Sequence, residues 1–354
     1  MQEVLVFISS LVIAAGLTPL VIAWYRRRGW LDDPSVHQHA KVTHRQPVPR
    51  GGGLIIFSSV LLGGLLFLQF DHYLYWIFAG ALLLTITGWL DDVYDLSPYW
   101  RLGVGLLAAL LVVGSGIGIA YVSNPLGAGV IHLDQPRLQF ELFGELRSIW
   151  LLSSTFAVLF ILWNMNIINW AKGVDGQLPG FVMVAALFIA ILAGRFADAP
   201  TQFNVSKLAL LVSGAYAGLL LWNFYPQKIM PGYGAGSLAG FFLSVLAILS
   251  GAKVATTLMV LAIPTADGLF TIARRILAGK SPFWGDRGHL HHKLMDLYGW
   301  GRRRIALFYM ASSALLGALS LLLDTRGKLL AIIVCSLLVF AFLIYSKIKS
   351  NIHA

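Results

Sequence analysis

Apolar and polar positions along this chain are written in blocks. Long apolar windows fall at about 4–24, 53–70, 74–90, 101–122, 149–169, 178–195, 206–223, 237–250, 252–268, 304–323 and 328–346. Most approach the ~20 residues that a helix needs to cross a bilayer. The pattern predicts an all-α integral membrane protein, a polytopic bundle of about 10–11 transmembrane helices forming a single domain over 1–354. Polar residues collect between the windows, in 25–52, 91–100, 170–177, 224–236 and 268–303. The segment 123–148 includes "GVIHLDQPRLQFELFG", whose alternation predicts a small β-hairpin. Within 269–277, Leu269, Ile272, Ala273, Ile276 and Leu277 recur at helical spacing, with Arg274 and Arg275 on another face. That spacing predicts a basic amphipathic helix lying in the headgroup plane rather than a plain extension of the preceding span.

Composition agrees with this reading. The chain is 58% hydrophobic and 12% charged, against ~25% charged in soluble domains. Its formal charge of +10 reads as topology rather than as a nucleic-acid surface, because Lys and Arg gather on the cytoplasmic side of membrane proteins. With the N-terminus outside, 19 of the 26 Lys and Arg fall in inside segments. The outside keeps Arg137, Arg147, Arg195, Lys207, Lys253, Arg326 and Lys328. The C-terminus is then cytoplasmic, and the polar segments above share one cytoplasmic face, while 123–148 is extracytoplasmic. Glu3 precedes the first apolar run where a signal peptide would have a basic region, so that run is expected to stay as a membrane helix. Cys335, the only cysteine, lies in the last apolar run and permits no intramolecular disulfide.

The polar segments hold the chemistry. "GWLDDVYDL" places Asp91, Asp92 and Asp95 at the end of a span. On a continuing helix they share a face, at the C-terminal end where the helix dipole disfavours anions. Such a pair suits Mg²⁺ binding or proton abstraction. "NMNIINWAKGVDG" offers Asn166 and Asn169, whose amides can ligate a hard cation or donate to phosphate or uracil, followed by Lys172 and Asp175. "SPFWGDRGHLHHKLMDLYG" gathers Asp286, Arg287, His289, His291, His292 and Lys293. Three histidines and an aspartate are adequate zinc ligands, but the Arg and Lys among them oppose a dication and suit a diphosphate. In a helix, His289, His292 and Lys293 would share a face. "HRQPVPRGGG" brings His44 and Arg50 to the entry of the second span. Together the segments can join an aqueous phosphate substrate to a lipid phosphate.

In order and spelling these motifs resemble the polyprenyl-phosphate N-acetylhexosamine-1-phosphate transferases, the WecA/TagO branch of the superfamily that includes the phospho-MurNAc-pentapeptide transferase MraY. The resemblance spans nearly the whole chain. "HRQPVPRGGG" looks like the family's first cytoplasmic loop, "GWLDDVYDL" like its aspartate pair, "NIINWAKGVDG" like its Asn-x-x-Asn motif, and "PTADGLFTIARRILAGKSPFWGDRGHLHH" like its last large loop. It implies transfer of HexNAc-1-phosphate, with GlcNAc the expected sugar, from a UDP-sugar to polyprenyl (undecaprenyl) phosphate, releasing UMP and starting a cell-envelope polysaccharide. It implies the plasma membrane, Mg²⁺ with Mn²⁺ as a substitute, and leaves a homodimer open. By resemblance, Asp91 and Asp92 are the catalytic pair, with Asp91 the base for the lipid phosphate. Asn169 matches a Mg²⁺ ligand and Asp175 a contact to the UDP-sugar. Arg287, His289, His291 and His292 would hold diphosphate and sugar, and Lys41, His44 and Arg50 the lipid phosphate.

Two positions depart from the family. Lys172 stands where Asn-x-x-Asn-x-x-Asp-Gly has its Asp, and Gly234, in "PGYGAGSLAG", where a Gly-Asp-x-Gly-Ser loop has a Mg²⁺-binding Asp. Either Mg²⁺ is held, more weakly, by Asn169, the aspartate pair and the diphosphate, or Lys172 supplies part of the metal's charge. An MraY-like transferase is a same-fold alternative. A catalytically silent lipid-phosphate-binding relative and a transporter are the others; a transporter would place its ionisable residues at mid-membrane.

Overall fold

The computed structural model of the chain describes residues 1–36, 43–124, 127, 129–142, 145–195, 200–250, 254–281 and 286–352. Lys41, expected at the lipid phosphate, lies outside these residues. The helices are α1 (Gln2–Arg28), α2 (Gly52–Phe67), α3 (His72–Tyr94), α4 (Pro98–Gly114), α5 (Leu151–Trp170), α6 (Gln177–Gly194), α7 (Pro200–Asn223), α8 (Gly232–Leu249), α9 (Val254–Val260), α10 (Ala262–Leu277), α11 (Leu290–Tyr298), α12 (Arg302–Leu322) and α13 (Thr325–Ile352). Three two-stranded antiparallel ribbons complete the described fold: β1 (Leu31–Asp32) with β2 (Val48–Pro49), β3 (Tyr121–Ser123) with β4 (Val130–His132), and β5 (Arg137–Leu142) with β6 (Glu145–Trp150).

Among the described residues, eight helices are long and apolar enough to cross a membrane. The other three predicted windows correspond to the shorter apolar helices α2 and α4 and to the pair α9–α10, bent by 78° at Leu261. The eleven windows therefore correspond to eight full-length helices, two short ones and one broken element. The basic amphipathic stretch at 269–277 is the second half of α10, which begins earlier than predicted and turns sharply from α9. The single predicted hairpin is two ribbons.

The bundle is built around α8. Its span is 89% buried, against 17% for the best window of α13, so α8 forms the protein's axis and α13 its lipid-facing rim. α5 and α3 flank α8, and α7 packs between α1 and α6. The site sits where α1, α3 and α5 end and α2, α6, α8 and α12 begin.

Local sequence sets that end of the bundle. Asp71 caps the start of α3 by accepting from the Leu74 amide. At the other end Asp95 adopts left-handed φ (49°), and its N–H reaches the Asp91 carbonyl. Ser97 and Pro98 then start α4 at once, a serine cap and a proline in the first turn being favourable helix starts. The turn is so short that Arg101, in the first turn of α4, folds back onto Asp91.

Candidate active site

Two polar clusters occupy this face. The first lies over the axis. Arg101 donates to both oxygens of Asp91, at 3.2 and 3.4 Å, and Asp91 is buried. Asp92 accepts from the Tyr25 hydroxyl on Oδ2 at 3.3 Å, while its shielded Oδ1 has no hydrogen-bond partner. Across from the pair, Lys172 Nζ donates to Asn169 Oδ1 at 2.9 Å and to the Gly232 carbonyl at 2.7 Å. Its Nζ also lies 6.0 Å from the centre of the Tyr233 ring, over which Arg101 lies at 5.3 Å. Asn169 is oriented by donating to Ser237 Oγ and the Met165 carbonyl. Burial pushes the Lys172 ammonium down to about 7. Asp91 and Asp92 pull the other way, and Arg101 and Arg50 push with the burial.

This geometry does not fit a magnesium ion on Asn169. The amide oxygen expected to ligate the metal already accepts from an ammonium. The second expected ligand position is closed as well. A Cβ on Gly234 would lie 3.2 Å from Gly53 Cα and 3.3 Å from Gly88 Cα. Helices α2, α3 and α8 meet there backbone to backbone, and an aspartate would have to part them. Among the described residues, no group of three or more His, Cys, Asp or Glu is gathered as a metal site.

The first loop enters the cluster from one side. The β1–β2 ribbon pairs Asp32 with Val48, which brings Arg50 within 2.7 Å of Asp32 Oδ2 and His44 Nε2 within 3.2 Å of the Asp32 carbonyl. His44 and Arg50, expected at a lipid phosphate, thus converge on a buried carboxylate that sequence reasoning missed. Arg50 also senses the charges of Asp92 and Asp95.

The second cluster joins α10 to α11. Asp286 accepts from Arg274 (2.8 and 2.9 Å), Arg275 Nε (3.0 Å) and the Gly288 amide (2.7 Å). Although burial opposes it, the Gly288 N–H and the two guanidiniums hold the Asp286 carboxyl well below the usual range. Asp267 accepts from the Leu290 amide and lies 2.9 Å from His289 Nδ1. His289 therefore sits at the N-cap of α11, turned to α10, and does not share a helix face with His292 and Lys293. Its ring stacks on His291 at 5.7 Å, and His291 lies 4.3 Å from His292. Both latter histidines are buried, and their Nδ1 atoms lack partners. Burial lowers both, with help from Arg287 and neighbouring histidines: His291 well below its ordinary value, His292 to about 4.

Segment 171–176 bridges the clusters. Arg275 lies over the Trp170 ring at 5.6 Å. The Gly173 carbonyl accepts from Thr43, and a Cβ at Gly173 would collide with His291 Nε2, so a side chain there would displace that histidine.

Several expected substrate contacts are occupied otherwise. Asp175 is buried, accepting from the Gln227 amide at 3.1 Å and lying 3.5 Å from Arg302; it ties the 224–231 segment to α12. Arg287 forms a two-pronged pair with Asp296 at 2.7 and 3.0 Å, and Asp286 is enclosed by its arginines. Asn166 donates to the Leu162 carbonyl of its own helix. Asp32, Arg101, Tyr233, Asp267 and Arg275 are the residues that sequence reasoning passed over. The signal was present for Asp267 and Arg275, polar positions within an apolar helical run, whereas nothing local marks Arg101 as the partner of Asp91.

A family model described as glycosyl transferase family 4 matches residues 74–251. The chain is 30% identical to a Bacillus subtilis (strain 168) protein named "Probable undecaprenyl-phosphate N-acetylglucosaminyl 1-phosphate transferase", over 87% of this chain and 81% of that one. It is 28% identical to a decaprenyl-phosphate N-acetylglucosaminephosphotransferase of Mycolicibacterium smegmatis (strain ATCC 700084 / mc(2)155), over 83% and 78% of the two chains. A phospho-N-acetylmuramoyl-pentapeptide-transferase of Bacillus velezensis (strain DSM 23117 / BGSC 10A6 / LMG 26770 / FZB42) is 27% identical over 92% and 99%.

Proposed function

The chain belongs to glycosyl transferase family 4, and from that premise we propose that it transfers N-acetylglucosamine-1-phosphate from UDP-GlcNAc to a polyprenyl phosphate in the plasma membrane. The names of the relatives support a polyprenyl-phosphate acceptor and a GlcNAc-1-phosphate donor. The observation that carries the reading here is the acid pair Asp91–Asp92 at the end of α3, ringed by Arg101, Lys172 and Arg50. The charge bias of the loops supports a cytoplasmic site with the N-terminus outside.

In this reaction an oxygen of the lipid phosphate attacks the β-phosphorus of the donor. A new P–O bond forms, the bond from that phosphorus to the bridging oxygen breaks, and UMP leaves with the electron pair. Phosphoryl transfer asks the protein mainly for in-line placement and for neutralisation of oxygen charge. A phosphate monoester loses its second proton at about pH 6, and a base beside it keeps the attacking oxygen ionised. Asp91 was the expected base, but both its oxygens accept from Arg101, which suits an anchor. Asp92, with a partnerless Oδ1 and only Tyr25 on the other oxygen, is the better proton acceptor. Arg101 and Lys172 face the charge that develops on the donor diphosphate, and the His291–His292 pair offers neutral imidazoles to its sugar.

The test is UMP release by purified protein given undecaprenyl phosphate and UDP-GlcNAc, beside Asp92→Asn and with UDP-MurNAc-pentapeptide as a second donor. Release that needs the lipid and disappears in the variant is expected. Release with the pentapeptide donor alone would transfer the assignment to the MraY type, and release unaffected by the substitution would remove Asp92 from the mechanism.

A further inference from the structure

We propose that the ammonium of Lys172 is the resident cation of this site, binding the donor diphosphate in the place that a divalent metal would otherwise take, so that the chain holds a nucleoside diphosphate without metal. The inference rests on the nucleotide-sugar reading above. Three observations carry it.

The first is where the ammonium sits. It is seated on an amide oxygen and a carbonyl oxygen, Asn169 Oδ1 and Gly232 O, which are hard neutral donors of the kind that Mg²⁺ seeks. The second is what neutralises it. Arg101 is paired with Asp91 and Arg50 with Asp32. Lys172 has no carboxylate within ion-pair distance among the described residues, and both its hydrogen bonds end on neutral atoms. An ammonium has three N–H donors, so one remains for a phosphate oxygen. The third is that the alternative is shut out. A metal on the same oxygens would meet the ammonium's charge, and a carboxylate at Gly234 would have to push the Gly53 and Gly88 backbones back. The same burial that costs the empty site part of this charge is offset when an anion binds, because a phosphate beside the amine favours its protonated form, and that ammonium stabilises phosphate charge more than it would in water.

The probe is UDP itself, titrated by calorimetry into purified protein in detergent, once with EDTA and once with Mg²⁺. Expected are binding in EDTA and an affinity that Mg²⁺ changes by less than about 3-fold. Lys172→Met should weaken binding at least 10-fold in EDTA, and Lys172→Arg should recover part of the loss, both with the thermal unfolding midpoint checked. Lys172→Asp should bind UDP only when Mg²⁺ is added. Wild-type binding that is abolished by EDTA and restored by Mg²⁺ overturns the inference while leaving the nucleotide reading intact. So does undiminished binding by a folded Lys172→Met. Absence of UDP binding under both conditions overturns the inference and the nucleotide-sugar reading together.

Discussion

The two clusters on this face bury similar charges and use them differently. In the α10–α11 clamp each carboxylate is enclosed. Asp286 takes two guanidiniums and a backbone amide, and Asp267 a histidine and a backbone amide. Over the axis the accounts stay open. Asp92 keeps an oxygen without a partner, and Lys172 rests on neutral atoms. Buried polar groups in native proteins are nearly always satisfied, so the clamp's carboxylates read as architecture, whereas Asp92, Lys172 and the partnerless Nδ1 atoms of His291 and His292 mark places that await a ligand. A saturated charge holds the backbone around it, and an unsaturated one holds whatever arrives.

That contrast can be broken experimentally, and the largest effect is expected at the open cluster. Asp92→Asn should lower UMP release by about 10²–10⁴-fold, the range for loss of a general base, with little change in thermal midpoint. Asp286→Asn should do the reverse, because it strips a partly buried charge from two arginines: a loss of about 1–3 kcal/mol in stability, read by thermal unfolding in detergent. Equal loss of stability in both variants would erase the distinction.

Gly234→Asp tests the axis directly. Forcing a side chain between α2, α3 and α8 should destabilise by about 1–3 kcal/mol from overpacking, without creating Mg²⁺-dependent activity. A stable, newly Mg²⁺-dependent variant would mean that the helices part easily.

The clamp carries its own pH signature. Burial, aided by Arg287 and His289, holds His292 at about 4 against an ordinary 6.5. The unfolded chain therefore takes that proton first. The contribution of His292 to stability is complete above about 6.5 and is lost as pH falls from there toward about 4. Thermal midpoints between pH 7.5 and 4.5 should show this fall, and His292→Gln should flatten it. The smallest effect is expected at the rim, where the Arg287–Asp296 pair is partly exposed. Asp296→Ala should change stability by no more than about 1 kcal/mol.

Much of the fold was legible because a bilayer demands long apolar runs, and those runs announce themselves. The windows matched helices even where a helix is short, as in α2 and α4. The break at Leu261 was hidden in one apolar stretch, although Pro264 marks it: a proline has no N–H for the Val260 carbonyl, which accepts from Ser313 Oγ instead. At the site, motifs located the loops but not the pairings. Asp175, Asp286 and Arg287 stood out as chemistry-bearing types, yet nothing local paired Asp175 with the distant Gln227 amide, Asp286 with Arg274 or Arg287 with Asp296. Lys172 and Gly234 were legible as departures from a pattern. Their meaning needed distances: an ammonium on the Asn169 oxygen, and two glycines against the third.

The contact of Gly53, Gly88 and Gly234 is lopsided. A Cβ at Gly53 or Gly88 would run into the Gly234 backbone, whereas a Cβ at Gly234 asks its two neighbours to give by only a few tenths of an ångström. Helix α8 thus tolerates a small side chain at this crossing better than α2 or α3 does. An acid at 234 meets a packing cost there, while the lysine at 172 already has its seat on Asn169 and Gly232.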